Sequence, residues 1–260
     1  LILNTSSKLQ LCSECFKYLT KLQYIKTSFK NIAIHDKCFD YCQSLNFIKF
    51  QSKDDISFDK ELFLGCKNLK VLKINSESNI LLKDQFMNDS SNLQKLCLSS
   101  KTFSIRNNCF LKCKQLNKFY IKKPGDILII QNMFSNFKNL QKIKIQSKGN
   151  DQFEQSHKIC FALNCFSELK SINKIKFKGV DVTIFNDCIK NCQRLQEICF
   201  KSSENVVIKE KQFTGMTSLK IVKINSLANI NLESGCFQNT NLENICISGK
   251  DVIIEDHCFY

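Results

Sequence analysis

Apolar residues recur along the chain in one fixed arrangement. The stretch from Ile32 to Phe50 shows it: two apolar residues with one residue between them, an aromatic five later, then further apolar positions at spacings of three, three, three and two. The unit can be written [IVFL]-x-[ILF]-x4-F-x2-C-x2-L-x2-I-x-[IF]. Its centre is occupied by Phe16, Phe39, Phe63, Phe86, Phe110, Phe134, Phe166, Ile189, Phe213, Phe237 and Phe259. A fixed period of this size indicates stacked supersecondary units.

Each part of the unit predicts a local structure. The L-x-x-I-x-I part predicts a short strand, because its last two apolar residues alternate with period two. The F-x-x-C-x-x-L part spaces apolar residues three apart and predicts a short helical turn. The I-x-I pair before the centre predicts a second extended segment, and polar connectors join the segments. The predicted fold class is therefore α/β, with a parallel sheet on one side, and with helical turns and a second extended segment on the outer walls.

The period also predicts how the chain is organised. Successive centres lie 22 to 24 residues apart, except for 32 residues between Phe134 and Phe166, which predicts a longer loop at 146–158. Residues 1–260 are interpreted as a single array of about ten repeats of 23–24 residues and a truncated one. The first residue is not methionine, and the last directly follows a repeat centre. Both features favour a fragment of a longer array.

These motifs together resemble the BspA-like class of leucine-rich repeats, in which an aromatic residue and a cysteine occupy the turn. The resemblance covers essentially the whole chain. It implies a right-handed solenoid with the strands on the concave face. It also implies a surface protein that adheres to host or matrix molecules, hence a cell-surface or secreted location and a protein partner. A cytoplasmic scaffold is the alternative compartment. The chain departs from the family pattern in lacking the proline that often follows the second I-x-I.

The sixteen cysteines admit two interpretations. Most stand immediately before the central aromatic or three residues after it, where a small thiol packs well in a core. Pairs at the same position of adjacent repeats, such as Cys15 with Cys38 or Cys42 with Cys66, come within reach of a disulfide in a stacked array. Cys12-x-x-Cys15 lacks a second ligand pair at suitable spacing, so no metal site is expected.

The residues between the strand's apolar marks point into the predicted concave face. They predict a surface that is aromatic near the N-terminus and basic in the middle of the chain. The candidate ligand-binding residues are Tyr24, Phe47, Lys118, Tyr120, Lys122, Lys142, Lys144, Lys174, Lys176 and Lys178. Exposed aromatics commonly anchor protein contacts, and a lysine patch raises the local concentration of anionic partners.

The charge leaves two kinds of ligand open. The chain carries a formal charge of +14, which suits a polyanion such as a sulfated glycan, an anionic membrane surface or nucleic acid. Only Arg106 and Arg194 are arginines, however, and dedicated phosphate sites usually recruit arginine, which disfavours nucleic acid. Lysines also simply keep an open sheet soluble. The leading hypothesis is a non-catalytic adhesion or protein-recognition scaffold, and polyanion capture is the alternative.

Catalytic signatures are missing from the sequence. The three histidines stand in unrelated loop contexts, and neither a paired nucleophile nor a glycine-rich phosphate loop is present. We therefore expect no enzymatic activity, no cofactor and no small-molecule substrate.

Overall fold

The structure is a computed structural model of the 260-residue chain. It describes residues 1–4, 6–83, 86–87, 91–105, 109–110, 112–124, 127–129, 134, 137–148, 158–161, 165–166, 169–184, 188–189 and 191–260. Contacts divide the chain into two compact units, Leu1–Ile121 and Lys122–Tyr260.

Unit 1 alternates long and short strands. They are β1 (Ile2–Asn4), β2 (Lys8–Leu11), β3 (Tyr24–Phe29), β4 (Asn31–Ile34), β5 (Phe47–Ser52), β6 (Ile56–Phe58), β7 (Val71–Ser76), β8 (Asn79–Leu82), β9 (Lys95–Ser99), β10 (Thr102–Ile105) and β11 (Lys118–Pro124), which begins in this unit. The odd-numbered strands lie side by side in chain order and are called the long-strand sheet. The even-numbered strands β2, β4, β6, β8 and β10 form the short-strand sheet.

Unit 2 repeats the same plan. Its strands are β12 (Ile127–Ile129), β13 (Lys142–Lys148), β14 (Lys158–Phe161), β15 (Lys174–Gly179), β16 (Asp181–Ile184), β17 (Glu197–Ser202), β18 (Val206–Ile208), β19 (Ile221–Ser226), β20 (Ile230–Leu232), β21 (Asn244–Ser248) and β22 (Val252–Ile254). The odd-numbered strands again form a long-strand sheet, and the even-numbered ones a short-strand sheet. Strand β13 continues through Lys148 and β14 starts at Lys158. Residues 149–157 of the predicted loop lie outside the described residues.

The predicted rows of the repeat are in register. Parallel pairing places Leu9 beside Ile32, Ile32 beside Ile56, and Ile56 beside Ile80. Ile80 then pairs with Phe103, so the repeat around Phe86, which slips by one residue in sequence, still keeps its place in the stack. The buried faces of both sheets therefore supply a continuous apolar core, and the prediction of a parallel-stranded solenoid is confirmed.

The predicted helical turns are wrong, and the fold is a β-solenoid in the described ranges, which contain no helix. A left-handed residue stands two positions before or after the centre in seven of the described repeats, as with Lys37 and Tyr41 around Phe39. Backbone bonds of the i to i+3 type still run from Cys42 N to Phe39 O and from Leu45 N to Cys42 O. The spacing of three thus marks successive tight turns, and the left-handed residue between them prevents a helix.

These turns are bonded from one repeat to the next. The amide of Phe16 donates to Cys38 O at 2.9 Å, and the amide of Tyr18 donates to Asp40 O at 2.9 Å. The same pair of bonds recurs in unit 2, from Phe213 to Cys236 and from Gly215 to Gln238. Left-handed residues point these amides along the stack, so the turn wall is a ladder of backbone hydrogen bonds that satisfies groups a buried corner would otherwise leave orphaned.

The central phenylalanines form columns inside each unit. Phe39 is fully buried, and its ring stacks on Phe16 and on Phe63 with centroids 5.7 Å apart in both cases. At the slipped repeat the column changes geometry, because the Phe86 ring meets Phe63 edge-on at 83°. Each such pair contributes about 0.5–1.5 kcal/mol beyond the burial of its area.

A second column, of buried serines, fixes the connectors. Ser52, Ser76 and Ser100 lie two residues beyond the strand's last apolar position and are buried. Each hydroxyl donates to a carbonyl of the preceding repeat, at 2.7 Å to Lys30 O, 2.6 Å to Asp54 O and 2.7 Å to Ser78 O respectively. The sequence pattern does not reveal this column, since serine reads as an ordinary loop residue.

The packing of the turn wall predicts that alanine substitutions at two of its glycines will destabilise the protein by different amounts. Gly65 and Gly215 have φ values of 72° and 71°, but a Cβ on Gly65 would lie 2.7 Å from Tyr41 Cδ1, whereas one on Gly215 would meet no atom within 4 Å. Gly215→Ala should lower the free energy of unfolding by about 1–2 kcal/mol, the cost of a left-handed L-residue. Gly65→Ala should cost more, because it adds the clash.

Urea denaturation of both variants measures this difference. Adding Tyr41→Ala should bring the cost of Gly65→Ala down to that of Gly215→Ala. Equal costs at the two glycines in the original background would contradict the tight packing of Tyr41 over Gly65.

Candidate ligand-binding face

The outward side of the long-strand sheet in unit 1 carries three rows of side chains. Strand pairing aligns Tyr24, Phe47, Val71 and Lys95 in one row and Lys26, Lys49, Lys73 and Cys97 in the next. The third row holds Ser28, Gln51, Asn75 and Ser99. None of these strand positions bears a carboxylate. The rows together are called the unit 1 face below.

Lysines and aromatic rings interleave on the unit 1 face. Lys26 Nζ lies 5.8 Å from the centroid of the Tyr24 ring, and Lys73 Nζ lies 5.5 Å from that of Phe47. Lys95 Nζ lies 5.3 Å from the centroid of Tyr120 on β11. These cation–π contacts hold the lysine stems against the rings. The predicted aromatic area and the lysines of rows one and two are thus a single mixed surface.

In unit 2 the corresponding surface is a lysine ladder. Strands β13 and β15 place Lys142 directly beside Lys174 and Lys144 directly beside Lys176, with Lys178 beside Gln146. Directly opposed like charges on neighbouring strands repel one another. Within the part of the chain that the structure describes, no carboxylate forms an ion pair with Lys144 or Lys176. These five lysines are called the unit 2 ladder.

One carboxylate limits the unit 2 ladder at its edge. Glu197, on β17, lies beside Lys174, and the Lys174 Nζ to Glu197 Oε2 distance is 2.5 Å. Burial raises the pKa of the Glu197 carboxyl, but hydrogen bonds from Lys174 and Cys199 and the Lys174 charge outweigh it, so the pKa lies below its ordinary value. Burial and the neighbouring Glu197 raise the pKa of the Cys199 thiol to about 11, so Cys199 is a neutral thiol donating to Glu197.

The remaining predicted residues lie on β11. Lys118 and Lys122 are exposed, and Tyr120 between them is half-buried beneath Lys95. Lys118 and Tyr120 belong to unit 1, and Lys122 is the first residue of unit 2. The structure therefore brings together Tyr24 with Phe47 in one unit, and the five lysines from Lys142 to Lys178 in the other.

Several lysines elsewhere in the two units form ion pairs with carboxylates. On the short-strand side of unit 1, Asp59 lies between His35 at 3.0 Å and Lys83. In unit 2, Lys209 pairs with Glu233 at 2.5 Å. These wall lysines are thus neutralised, whereas Lys144 and Lys176 on the long-strand face of unit 2 form no ion pair among the described residues. Sequence reasoning missed this contrast and the role of Glu197, because a pairing between repeats depends on which carboxylate reaches which lysine.

Other classes of site receive no support. Within the described ranges, no three histidine, cysteine or acidic side chains cluster as metal ligands. The same ranges contain no helix long and apolar enough to cross a membrane. His35 takes part in the wall contact with Asp59 and lies 3.4 Å from the Gln10 amide.

Comparison with known proteins identifies the class. The family model described as BspA type leucine rich repeat region matches in six copies, over residues 9–124, 33–160 and 155–260. The chain belongs to this family, whose repeats form binding scaffolds, are generally non-catalytic and commonly mediate protein interactions.

A solved structure and a sequence search complete the comparison. The crystal structure of a leucine-rich repeat protein from Bacteroides ovatus matches with 16% identity and a TM-score of 0.24, over 97% of this chain and 82% of that one. No curated protein sequence matches the chain.

The ion pair of Lys174 with Glu197 predicts how the free energy of unfolding changes in acid. A carboxyl whose pKa is lowered on folding contributes stability above its unfolded pKa, near 4.5, and loses it as pH falls through the lower folded value. Because the pair is partly exposed, the contribution should not exceed about 1 kcal/mol.

Urea denaturation of the wild type and Glu197→Gln between about pH 3 and pH 7 measures it. The wild type should be the more stable above the unfolded pKa, and the difference should vanish in acid. The pKa of Asp59 is also lowered, chiefly by the Lys83 hydrogen bond, so both proteins will lose some stability in acid. A difference that is constant with pH would show that Glu197 acts through packing instead.

Proposed function

We propose that this protein is a non-catalytic adhesion or protein-recognition module that binds a protein partner through the unit 1 face. One observation carries the proposal: Tyr24 and Phe47 lie side by side in a row that runs directly beside Lys26, Lys49 and Lys73, on strand positions without a carboxylate. Aromatic residues are common anchors of protein interfaces, and a surface of uniform charge favours a partner of the opposite charge.

The partner's chemistry follows from this composition. Its surface should be acidic, to match the lysines, and should carry an apolar side chain that packs between the two rings. Tyr24 is 43% exposed and therefore keeps a large apolar area available for such a contact. A location at the cell surface or outside the cell agrees with the family, and host or extracellular-matrix proteins with acidic segments are the class we expect.

The first experiment tests the aromatic row. The chain is applied to immobilised extracellular-matrix proteins at about 50 mM and about 500 mM salt, conditions under which electrostatic contributions differ strongly. The double variant Tyr24→Ser with Phe47→Ser should weaken binding to the matrix protein by at least about tenfold, since truncated aromatic anchors typically cost more than 1.4 kcal/mol.

Tyr18 supplies the matched control. It is 62% exposed but lies on the turn wall, where it stacks on Tyr41. Tyr18→Ser should leave the affinity unchanged. If Tyr18→Ser weakens binding as much as the double variant does, or if the double variant binds normally, the unit 1 face is not the protein-binding surface.

Polyanion capture is the second candidate function, and the unit 2 ladder favours it. Lys144 and Lys176 oppose each other and form no ion pair with a carboxylate in the described ranges, so a bound sulfate or phosphate ester would relieve their repulsion. Heparin-like glycans and anionic lipid vesicles supply this chemistry in two forms. Binding through the ladder should fall steeply with salt.

The double variant Lys144→Glu with Lys176→Glu should abolish glycan or vesicle binding while the fold is retained, because both side chains project from the sheet. The control variant Lys170→Glu with Lys250→Glu makes the same change in net charge at two exposed turn positions of unit 2. If both double variants weaken binding equally, net charge rather than the ladder is responsible.

A further inference from the structure

Two thiols of the first two repeats lie in contact. Cys15 and Cys38 stand immediately before Phe16 and Phe39, and their Sγ atoms are 3.2 Å apart. The Phe16 amide donates to Cys38 O at 2.9 Å, and the two phenylalanine rings stack. Backbone and core thus hold the two sulfurs beside each other, and Cys15 is exposed whereas Cys38 is buried.

Other stacked cysteines are arranged differently. Cys42 and Cys66 also occupy one position in adjacent repeats, but each thiol donates to a backbone carbonyl, to Phe16 O at 3.1 Å and to Phe39 O at 3.0 Å. These two sulfurs act as core hydrogen-bond donors. The position three residues after the centre therefore favours the core-thiol interpretation of the sequence.

The pair nearest in kind lies in unit 2. Cys236 and Cys258 have their Sγ atoms 3.9 Å apart, but both are buried, and the Cys258 thiol also donates to Leu232 O and Glu233 O. Neither thiol there is exposed to attack a disulfide reagent in solution. At Cys15 and Cys38, by contrast, the two sulfurs are in contact and one of the two cysteines is exposed to solvent.

We propose that Cys15 and Cys38 form a thiol–disulfide site that a small-molecule disulfide, such as oxidised glutathione, closes into a bond between the first two repeats. The Cys15 thiol loses its proton to water, and the resulting thiolate attacks one sulfur of the reagent, whose S–S bond breaks. The released small thiolate takes up a proton. The Cys38 thiol then loses its proton to water, and its sulfur attacks Cys15 Sγ. The second small thiolate leaves and is protonated in turn, so two protein thiols become one disulfide while one reagent disulfide becomes two thiols.

The order of the two attacks follows from exposure. Burial, and then the neighbouring Cys15, raise the pKa of the Cys38 thiol, so Cys38 is not the first nucleophile. Once Cys15 carries the mixed disulfide, the attack by Cys38 is intramolecular. The sulfurs need to approach by only about 1 Å to reach bonding distance.

The bond would act on the unit 1 face. The repeat of Cys15 continues into β3, which carries Tyr24, and the repeat of Cys38 continues into β5, which carries Phe47. A crosslink between these repeats restrains the two strands that hold the aromatic row. The formation of the bond does not depend on the proposed function, because its chemistry involves only the two thiols and the reagent.

The test incubates the full chain in buffers of increasing ratio of oxidised to reduced glutathione, followed by acid quenching, alkylation and peptide mapping. We expect one disulfide, linking the peptides of Cys15 and Cys38, to form before any other, with the loss of two hydrogens from the intact mass. The oxidised protein should unfold at a higher urea concentration than the reduced protein.

Variants separate this site from its rivals. Cys15→Ser changes an exposed residue and should abolish both the crosslink and the gain in urea resistance, whereas Cys12→Ser and Cys42→Ser should abolish neither. Three outcomes would overturn the proposal: a Cys12 to Cys15 disulfide, glutathione retained on Cys15 without closure, or a Cys236 to Cys258 disulfide that forms first.

Discussion

The structure depends on each repeat donating its turn-wall amides to the carbonyls of the next. Strand pairing alone would bond two of the walls and leave the corners to water. In five described repeats, left-handed residues on both sides of the central aromatic rotate alternate amides into the stacking direction, so the corner carries its own ladder, as in the bonds from Phe16 to Cys38 and from Tyr18 to Asp40. The phenylalanine column and the buried serines can occupy the interior because the backbone groups of these corners are hydrogen-bonded.

The apolar pattern predicts most of this architecture. Period two marks the strands, the repeat length marks the stack, and the paired rows appear in the structure in the predicted register. The pattern fails at the turn because a spacing of three is compatible both with helix and with consecutive tight turns. What separates the two is the left-handed backbone at positions such as Tyr41 and Glu61, and neither residue type signals it. At the position two residues after the centre, Gly65, Gly215, Asn191 and Asn239 are the residue types that favour it.

The candidate site was also predictable only in part from the sequence. The identity of the outward residues follows from strand alternation, so the rows containing Tyr24, Phe47 and the lysines of β13 and β15 could be listed in advance. The contacts of those side chains could not be predicted, because they form between residues of different repeats. Lys26 and Lys73 lie over aromatic rings, and Lys174 forms an ion pair with Glu197. Such contacts depend on side-chain conformations, which vary with the residues on neighbouring strands. A linear pattern records which residues share a face but not which of them pair.

The repeat geometry also determines what kind of recognition is possible. Each long strand presents about three outward side chains, too few to bind a partner alone, so any binding energy must come from rows that cross several strands. Along such a row the side chains repeat at the strand spacing of roughly 4.8 Å, which is short enough for neighbouring side chains to act together. A row of equal charges therefore adds binding energy only with a partner of opposite charge. A row with two aromatic members can also bind through shape complementarity. The unit 1 face contains both kinds of row side by side, and the unit 2 ladder contains the first kind alone. Under the proposed function, selectivity for a protein therefore comes from Tyr24 and Phe47, and the ladder on its own would distinguish anions by charge density rather than by shape.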